Sequence, residues 1–434
     1  MRDLGLRAPL RRPLFRRLLA TYSLNEMGDW MGIVALSVLV YEATHSAYAT
    51  AALFVGTRFL PAILAPVLVT RAERPPPRLV LPLIYCAETA AFGTLALLAS
   101  NFSLAAVVVV ATIDGALALA GRALTRATVV SLLEESGELR AGNSLLNVAF
   151  TAGAAVGPAL AGLVVAALGL QAALFANAAS FYLVAWILIT AGPIPHAEPE
   201  EGGTRERVRA GFAYVRRNKP LRRILLAQAL GFVFFSAVSP IEVIYAKESL
   251  ATTDTGYGVM LAAWGIGMLF GSLVFAGAKR VSLAALFVVS TFVIGVSYLG
   301  LAIAPNLAVA CVASVIGGTG NGVQWVSAIS SVQELTESGM QARVMAVLES
   351  IGAAMPGLGI AIGGLVAAIA SPRTTFLVAG LGVLAIVALA VPLLRGGRSG
   401  RLAGSGGFPL DESDTVVLEL LPGGMPIPNS EVES

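Results

Sequence analysis

Twelve apolar segments follow one another along this chain, and basic residues are almost confined to every second gap between them. A helix needs about 20 apolar residues to cross the hydrocarbon core of a bilayer. The pattern therefore predicts an all-α polytopic membrane protein with twelve transmembrane helices. The predicted spans are 16–40, 47–70, 79–100, 103–125, 142–168, 171–192, 221–245, 257–277, 282–303, 307–330, 344–370 and 374–394.

The distribution of Lys and Arg predicts the orientation of these helices. Of 29 basic residues, 26 fall in the tails and in alternate gaps, two in the opposite gaps and one, Arg58, inside a span. Lys and Arg are enriched in cytoplasmic loops. Both termini are therefore expected in the cytoplasm, in a multi-pass protein of the plasma (inner) membrane. A soluble bundle is disfavoured, because the chain is 56% hydrophobic and 13% charged.

Composition and residue placement disfavour several other function classes. The pI near 9.0 does not indicate a nucleic-acid binder, because the basic residues flank the spans, where they orient helices and contact anionic lipids. Cys86 and Cys311 lie in apolar segments and indicate neither a disulfide nor a metal site. A membrane enzyme would need a nucleophile with a base, or a metal cluster. The two histidines, His45 and His196, lie in loops on opposite sides, so no enzymatic activity, metal or cofactor is expected.

The chain divides into two similar halves. At an offset of 202 residues, the identical positions include Glu135-Ser-Gly137 with Glu337-Ser-Gly339, Gly157 with Gly359, and Gly162 with Gly364. The offset covers six spans, so the two repeats are expected to run parallel through the membrane. The predicted parts are an N-terminal segment (1–15), a six-helix bundle (16–192), a cytoplasmic linker (193–220), a second six-helix bundle (221–394) and a disordered cytoplasmic tail (395–434). Val208, Phe212 and Val215 predict an amphipathic linker helix on the cytoplasmic leaflet, although a plain charged linker is an alternative.

Several local sequences resemble one transporter family. They are Gly28-Asp-Trp30, Arg58-Phe-Leu-Pro61, Ala141-Gly-Asn-Ser-Leu-Leu146 and Lys219-Pro-Leu-Arg-Arg223. Through them, residues 15–394 resemble the major facilitator superfamily, and most of all its bacterial drug and siderophore exporters of the enterobactin-exporter and macrolide-efflux type. The resemblance implies a monomeric secondary transporter that exports an amphipathic small molecule by alternating access, with protons and membrane lipids as its other partners. A permease for another solute, such as a lipid, and a non-transporting sensor or scaffold are the alternatives.

The fifth span carries a glycine and proline motif. Gly153, Gly157, Pro158 and Gly162 are similar to the exporter signature GxxxGPxxGG, with Ala161 replacing one glycine. Gly153 and Gly157 lie four residues apart, so they share a helix face on which a neighbouring helix can approach closely. Proline removes a backbone hydrogen bond and permits a kink. This helix is therefore a candidate sliding seam, and ordinary small-residue packing is the alternative.

Two further motifs concern the cytoplasmic gate. The family loop GxLADRxxRR appears here in degraded form as Val69-Thr-Arg-Ala-Glu73-Arg74-Pro-Pro-Pro-Arg78, and Glu73, Arg74 and Arg78 are the remaining candidates for its latch. Family exporters also carry an arginine near the end of the fourth span, and Arg126 matches that position. Alternatively, Arg122 and Arg126 end the span and extend their side chains to the interface.

Charged residues inside spans are costly and are candidates for function. Counting from flanking arginines at about 1.5 Å per residue puts Asp29, Arg58 and Asp114 roughly 18–19 Å deep, all in the first half. Glu26 lies one turn from Asp29 on the same helix face, and Glu88 lies at a similar level. A carboxylate near an arginine can exchange a proton when its surroundings change. Asp29, Glu26, Asp114 and Arg58 are therefore the predicted proton-coupling residues, with a static Asp29–Arg58 pair as the alternative.

Aromatic residues near the middle of the spans are candidates for the substrate cavity. They are Trp30, Phe54, Phe234, Phe235, Trp264 and Trp325. Such side chains suit a large, partly apolar solute, although each can instead serve packing or anchor the helix at the interface.

Overall fold

The protein is all-helical throughout the residues described by its computed structural model, which are 7–72, 75–133, 136–195, 204–278, 281–337 and 340–403. Thirteen helices of at least ten residues follow in order. They are α1 (Pro13–Thr44), α2 (Ala47–Phe54, a π-helical turn Val55–Phe59, and Leu60–Ala72), α3 (Pro77–Leu98), α4 (Leu104–Leu133), α5 (Leu139–Leu168), α6 (Leu170–Ile189), α7 (Thr204–Arg217), α8 (Lys219–Val238, continued by Ser239–Ile241, Glu242–Ile244 and Tyr245–Ser249), α9 (Asp254–Gly277), α10 (Leu283–Ile303), α11 (Leu307–Glu334), α12 (Gln341–Ile369) and α13 (Pro372–Ala403).

Eleven of these helices, α2 to α6 and α8 to α13, are long and apolar enough to cross a membrane. The remaining long helix of the first half, α1, has 32 residues and would be about 48 Å long, more than a bilayer core requires. Glu26 and Asp29 lower its mean hydropathy, yet Glu26 is fully buried in the bundle. The chain is thus a multi-pass membrane protein, and α1 completes the first six-helix bundle.

The two bundles repeat the same packing. In the first, α1 contacts α5 and α6, α3 contacts α4 and α6, and α2 contacts α4. In the second, α8 contacts α12 and α13, α10 contacts α11 and α13, and α9 contacts α11. Each of the five pairs in one bundle has its counterpart six membrane helices later. The parallel six-helix repeat predicted from the sequence is therefore confirmed by the packing.

The most extensive contacts between the halves are those of α5 with α9 and of α2 with α12, and α8 also meets α1 and α2. Small residues allow these contacts. A Cβ atom added at Gly162 would lie 2.9 Å from the backbone oxygen of Asp254, and one added at Gly364 would lie 2.6 Å from Cβ of Ala51. Both distances are below van der Waals contact, so neither position has room for a side chain. Gly162 and Gly364 are matched positions of the repeat, and each contacts the opposite half.

The close helix approach predicted at Gly153 and Gly157 occurs between α5 and α1. Both glycines face α1 within their own half, since a Cβ atom at Gly157 would lie 2.7 Å from Cβ of Trp30. The repeat counterpart of Gly157, Gly359, likewise faces a helix of its own half, α8. Successive helix residues are about 100° apart, so Gly153 and Gly157 share one face while Pro158 and Gly162 share another, which meets α9.

Polar contacts join the halves at the end of the bundle where α1 terminates at Thr44. The hydroxyl of Tyr41 donates a hydrogen bond of 2.9 Å to Glu248. Lys247 forms ion pairs of 3.0 Å with Glu42 and 2.5 Å with Asp254. Described contacts at the other end, such as the 2.7 Å ion pair of Arg12 with Glu138, remain within one half. We call the first region the Thr44 end.

The linker helix α7 packs against the second bundle. Val215 is buried in the core of the second bundle, and the backbone at Gly211 lies against that of Arg343 in α12. Phe212 is exposed. The side chain of Val208 lies outside the described residues. The linker helix is therefore a packed part of the second half.

Two span boundaries also differ from the prediction. The fourth helix continues to Leu133, eight residues beyond the predicted end, so Arg122 and Arg126 lie within it and do not terminate it. The last helix extends to Ala403, which makes the start of the predicted tail helical. The rest of that tail, 404–434, lies outside the described residues.

The orientation predicted from the basic residues can be tested by labelling. In a variant with Cys86 and Cys311 replaced by serine, Asn306→Cys is expected to react with an impermeant maleimide added outside intact cells. Ser136→Cys is expected to react only after the membrane is permeabilised. The reverse pattern would show that the termini are outside.

The seam between α5 and α9 gives a second expectation. Gly162→Leu would push the backbone of Asp254 and Thr255 away and separate the halves at the Thr44 end. Transport is expected to be lost while the amount of protein in the membrane is retained. An additional Val38→Cys, buried at this end in the unaltered protein, should then react with external maleimide several-fold faster. Gly93→Leu is the control because Gly93 has open space around it. Wild-type transport by Gly162→Leu would contradict this role of the seam.

Candidate functional site

A cavity of about 90 Å³ lies inside the first bundle, between α1, α2, α3 and α4. Its lining residues are Asp29, Ile33, Leu36, Thr57, Arg58, Phe92, Asp114, Gly115, Ala118, Leu119 and Arg122. The volume holds several water molecules. Four charged side chains from three helices therefore meet around one small space within an otherwise apolar bundle.

Arg122 is the centre of this charged group. Its Nη2 atom lies 2.6 Å from Oδ2 of Asp29, and its Nε atom lies 3.2 Å from Oε1 of Glu26. Glu26 and Asp29 project toward α4 together because they are three residues apart on α1. Asn25 adds a hydrogen bond of 3.3 Å from Nδ2 to Asp29. One guanidinium group is thus shared by two carboxylates, of which Glu26 is fully buried.

The alternative of a static Asp29–Arg58 ion pair is not what the structure contains, because Asp29 pairs with Arg122. The guanidinium of Arg58 lies over the ring of Trp30 at 5.6 Å from its centroid. Within the described residues, Arg58 forms no ion pair. Arg58 nevertheless lines the same cavity as Asp29, in agreement with the similar depths predicted for the two residues. Arg58 lies on the π-helical turn Val55–Phe59 of α2, and such turns occur often at functional sites.

Two further carboxylates extend the group beyond Arg122. Asp114 on α4 lines the cavity and is 8% exposed, and its Oδ1 atom has no hydrogen-bond partner within the described residues. Glu88 on α3 is fully buried, with both oxygens unpartnered there. The charged groups whose fields act on Glu88 are Asp114, Asp29 and Arg122. The first half therefore gathers four carboxylates and two arginines.

Arg126 lies one turn beyond Arg122 and contacts a different residue, Tyr22. Its Nη2 atom donates a hydrogen bond of 2.8 Å to the hydroxyl of Tyr22, and its guanidinium lies 5.6 Å from the centroid of that ring. The side chain thus ties α4 to α1. Glu73 and Arg74, the predicted remnants of the cytoplasmic latch, lie outside the described residues.

The six predicted cavity aromatics do not form one cluster. Trp30 and Phe54 belong to the first half, where Phe54 is buried against α12. Phe235 and Trp264 contact each other across α8 and α9, with ring centroids 6.1 Å apart. The other two lie elsewhere in the second half: Phe234 meets α13 near Gly382, and Trp325 pairs with Phe232 at 6.1 Å.

Sequence reasoning missed the central role of Arg122. It was interpreted as a side chain at a helix end, because the fourth span was predicted to stop near residue 125. A signal was present: Glu26 and Asp29 form an acidic pair on one face of α1 and need a cation from a neighbouring helix. Arg122 and Arg126 are four residues apart on α4 and could both have been candidates.

Comparison with solved structures shows the fold. The nucleoside transporter NupG aligns with a TM-score of 0.70 over 88% of this chain and 99% of its own, at 13% identity. A POT family transporter in complex with a thioalcohol-conjugated peptide aligns with a TM-score of 0.72 over 88% and 96%, at 14% identity. The human organic anion transporter MFSD10 aligns with a TM-score of 0.58 over 87% and 100%, at 19% identity. No curated protein matches the sequence.

A family model described as transmembrane secretion effector matches residues 5–405. The match covers both helix bundles and the linker between them. Together with the repeated six-helix packing and the similar solved transporters, it identifies the chain as a member of the transmembrane secretion effector family, a membrane transporter of the major facilitator type.

Proposed function

We propose that this protein exports an amphipathic small molecule, such as a drug, an antibiotic or a siderophore, in exchange for protons, from a cell whose cytoplasm holds both termini. The observation that carries this proposal is the sharing of Arg122 by Glu26 and Asp29 inside the first bundle.

The charge balance of the site supports coupling to protons. Glu26, Asp29, Glu88 and Asp114 could carry four negative charges, whereas Arg58, Arg122 and the neighbouring Arg126 supply three positive ones. A buried charge without a partner is costly in a membrane protein. The carboxylates therefore outnumber the arginines, and protons can restore the balance by neutralising buried carboxylates at or near the cavity of about 90 Å³.

The position of the group supports a change of proton occupancy during transport. Asp29 and Arg122 line a cavity, whereas Glu88 is fully buried in the same bundle. Rocking of the two halves would alter the access of water to that cavity, and hydration changes the free energy of a charged carboxylate. Proton uptake and release would then alternate with the opening of the two ends.

The direction and substrate rest on other observations. The family description names secretion, which favours export. The separate aromatic pairs of the second half, such as Phe235 with Trp264, favour a solute with apolar surface.

Replacement of Asp29 tests the coupling. In proteoliposomes with ethidium as the probe, Asp29→Asn is expected to reduce accumulation driven by a pH gradient at least tenfold, because one exchangeable proton site is removed. Ethidium movement down its own gradient should continue. Glu334→Gln, at an exposed position of α11, is the control and should behave as the unaltered protein does. Accumulation at the wild-type rate by Asp29→Asn would refute the coupling.

The two arginines give a matched comparison of stability. Arg122→Ala leaves two carboxylates without their cation and is expected to destabilise the protein by about 3–5 kcal/mol. Arg58→Ala removes a contact with Trp30 and no described ion pair, so its effect should be clearly smaller. Unfolding of both variants in detergent, followed by tryptophan fluorescence, provides the measurement. Equal destabilisation would show that Arg58 carries as much of the charge compensation as Arg122.

A further inference from the structure

A second cavity lies at the junction between the linker helix α7 and the start of α8, and the proposed coupling assigns no part to it. Its volume is about 490 Å³, and its lining residues are Tyr214, Arg217, Asn218, Lys219, Pro220 and Glu337. Glu337 follows the end of α11, so the cavity lies between the α7–α8 junction and the chain that leaves α11. Ligand sites in proteins are typically concave spaces of about 300–1,000 Å³ with a few convergent polar groups.

Hydrogen bonds fix the walls of this cavity. Nδ2 of Asn218 donates to the backbone oxygen of Leu335 at 3.2 Å, and Oδ1 of Asn218 accepts from the amide of Leu221 at 3.2 Å. The backbone amide of Glu337 donates to the hydroxyl of Tyr214 at 3.4 Å. Because a tyrosine hydroxyl is both an acceptor and a donor, the proton of Tyr214 remains available to a ligand.

The other polar groups of the lining are mainly cationic donors. Arg217 and Lys219 are exposed, and neither forms an ion pair or a hydrogen bond within the described residues. Glu337 is the single carboxylate of the lining, and no described ion pair joins it to either cation. Two positive charges and one negative charge leave the lining with a net charge of +1. One singly charged anion would balance this cavity.

The cavity lies at the boundary of the membrane. The candidate membrane span of α8 begins at Lys219, which is itself a lining residue. Six basic residues and no acidic residue occur between positions 209 and 223. Phe212 on α7, two residues before Tyr214, is 45% exposed. An exposed aromatic ring among arginines is typical of a helix in contact with the headgroup region of a bilayer.

We propose that this cavity binds the phosphodiester headgroup of an anionic phospholipid through Arg217, Lys219 and the hydroxyl of Tyr214. Basic pockets at the ends of membrane helices bind anionic headgroups, and hydrogen bonds from arginine or lysine to phosphate are charge-assisted. The headgroup of phosphatidylglycerol carries one negative charge, which matches the net charge of the lining. Its glycerol hydroxyls can donate to Glu337, whereas a zwitterionic headgroup would leave the net positive charge uncompensated.

A bound headgroup would join parts of the second bundle that are distant in the chain. Arg217 and Lys219 belong to the α7–α8 junction, and Glu337 belongs to the segment after α11. A ligand that binds the folded protein alone increases its stability by mass action. Phosphatidylglycerol is therefore expected to stabilise the folded protein. This inference goes beyond the proposed function, because it depends neither on protons nor on the exported solute.

Titration of the purified full-length protein in detergent with phosphatidylglycerol, followed by native mass spectrometry, measures the affinity for the first bound lipid. The double variant Arg217→Gln, Lys219→Gln is expected to weaken this affinity at least tenfold. The double variant Arg222→Gln, Arg223→Gln is the matched control, because it removes the same charge from the same end of α8 outside the cavity. It should retain an affinity close to that of the unaltered protein.

Glu337→Gln gives a prediction of the opposite sign. Loss of the carboxylate removes its repulsion of the phosphodiester, so phosphatidylglycerol is expected to bind several-fold more tightly. Phosphatidylcholine should bind the unaltered protein at least tenfold more weakly than phosphatidylglycerol. Size-exclusion chromatography and thermal unfolding establish that each variant is folded before its affinity is measured.

Four outcomes would overturn the proposal. Equal weakening by the two double variants would show that general surface charge attracts the lipid. Weaker binding to Glu337→Gln would place an ammonium group at that carboxylate and indicate a zwitterionic headgroup. Equal affinity for phosphatidylcholine would remove the requirement for an anion, and displacement of the lipid by millimolar inorganic phosphate would identify a site for soluble phosphate. A loss confined to the Arg217→Gln, Lys219→Gln variant, with tighter binding to Glu337→Gln, would support the proposal.

Discussion

The compensation of Glu26 and Asp29 by Arg122 is the interaction on which the first bundle depends. Two carboxylates on one face of α1 would be prohibitively costly among apolar helices, and the arginine of α4 makes their burial possible. The compensation is incomplete, because Glu88 and Asp114 add two carboxylates and Arg58 adds one cation that has no described ion pair. This group holds α1 and α4 together, and its carboxylates still outnumber its arginines. Under the proposed function, stability and proton binding arise from the same set of side chains.

Close helix contacts decide how the two bundles meet. Gly162 on α5 and its repeat counterpart Gly364 on α12 both contact the opposite half. Two helix surfaces without projecting side chains can move apart and come together again without interlocking. Such surfaces suit two bundles that rock against each other. The polar contacts of Lys247 and Tyr41 at the Thr44 end hold these surfaces together at one end. The arrangement combines a smooth seam with a few specific contacts that can be broken.

The two halves share one packing scheme and differ in the chemistry of their interiors. The first gathers charged groups around a small cavity, and the second packs aromatic rings of α8, α9 and α10 against one another. Under the proposed function, the first half binds protons.

Much of the architecture could be predicted from the sequence, because it follows from local properties. Apolar length predicted the spans, an offset of 202 residues predicted the repeat, and charges within spans identified Asp29, Asp114 and Arg58 as lining residues of one site. Counting residues along a helix measures depth, however, and leaves open the direction in which a side chain points. That direction depends on how each helix is rotated against its neighbours. Only the tertiary structure therefore decided that Asp29 pairs with Arg122, and that Gly157 faces α1 while Gly162 faces α9, since both depend on packing between segments distant in the chain.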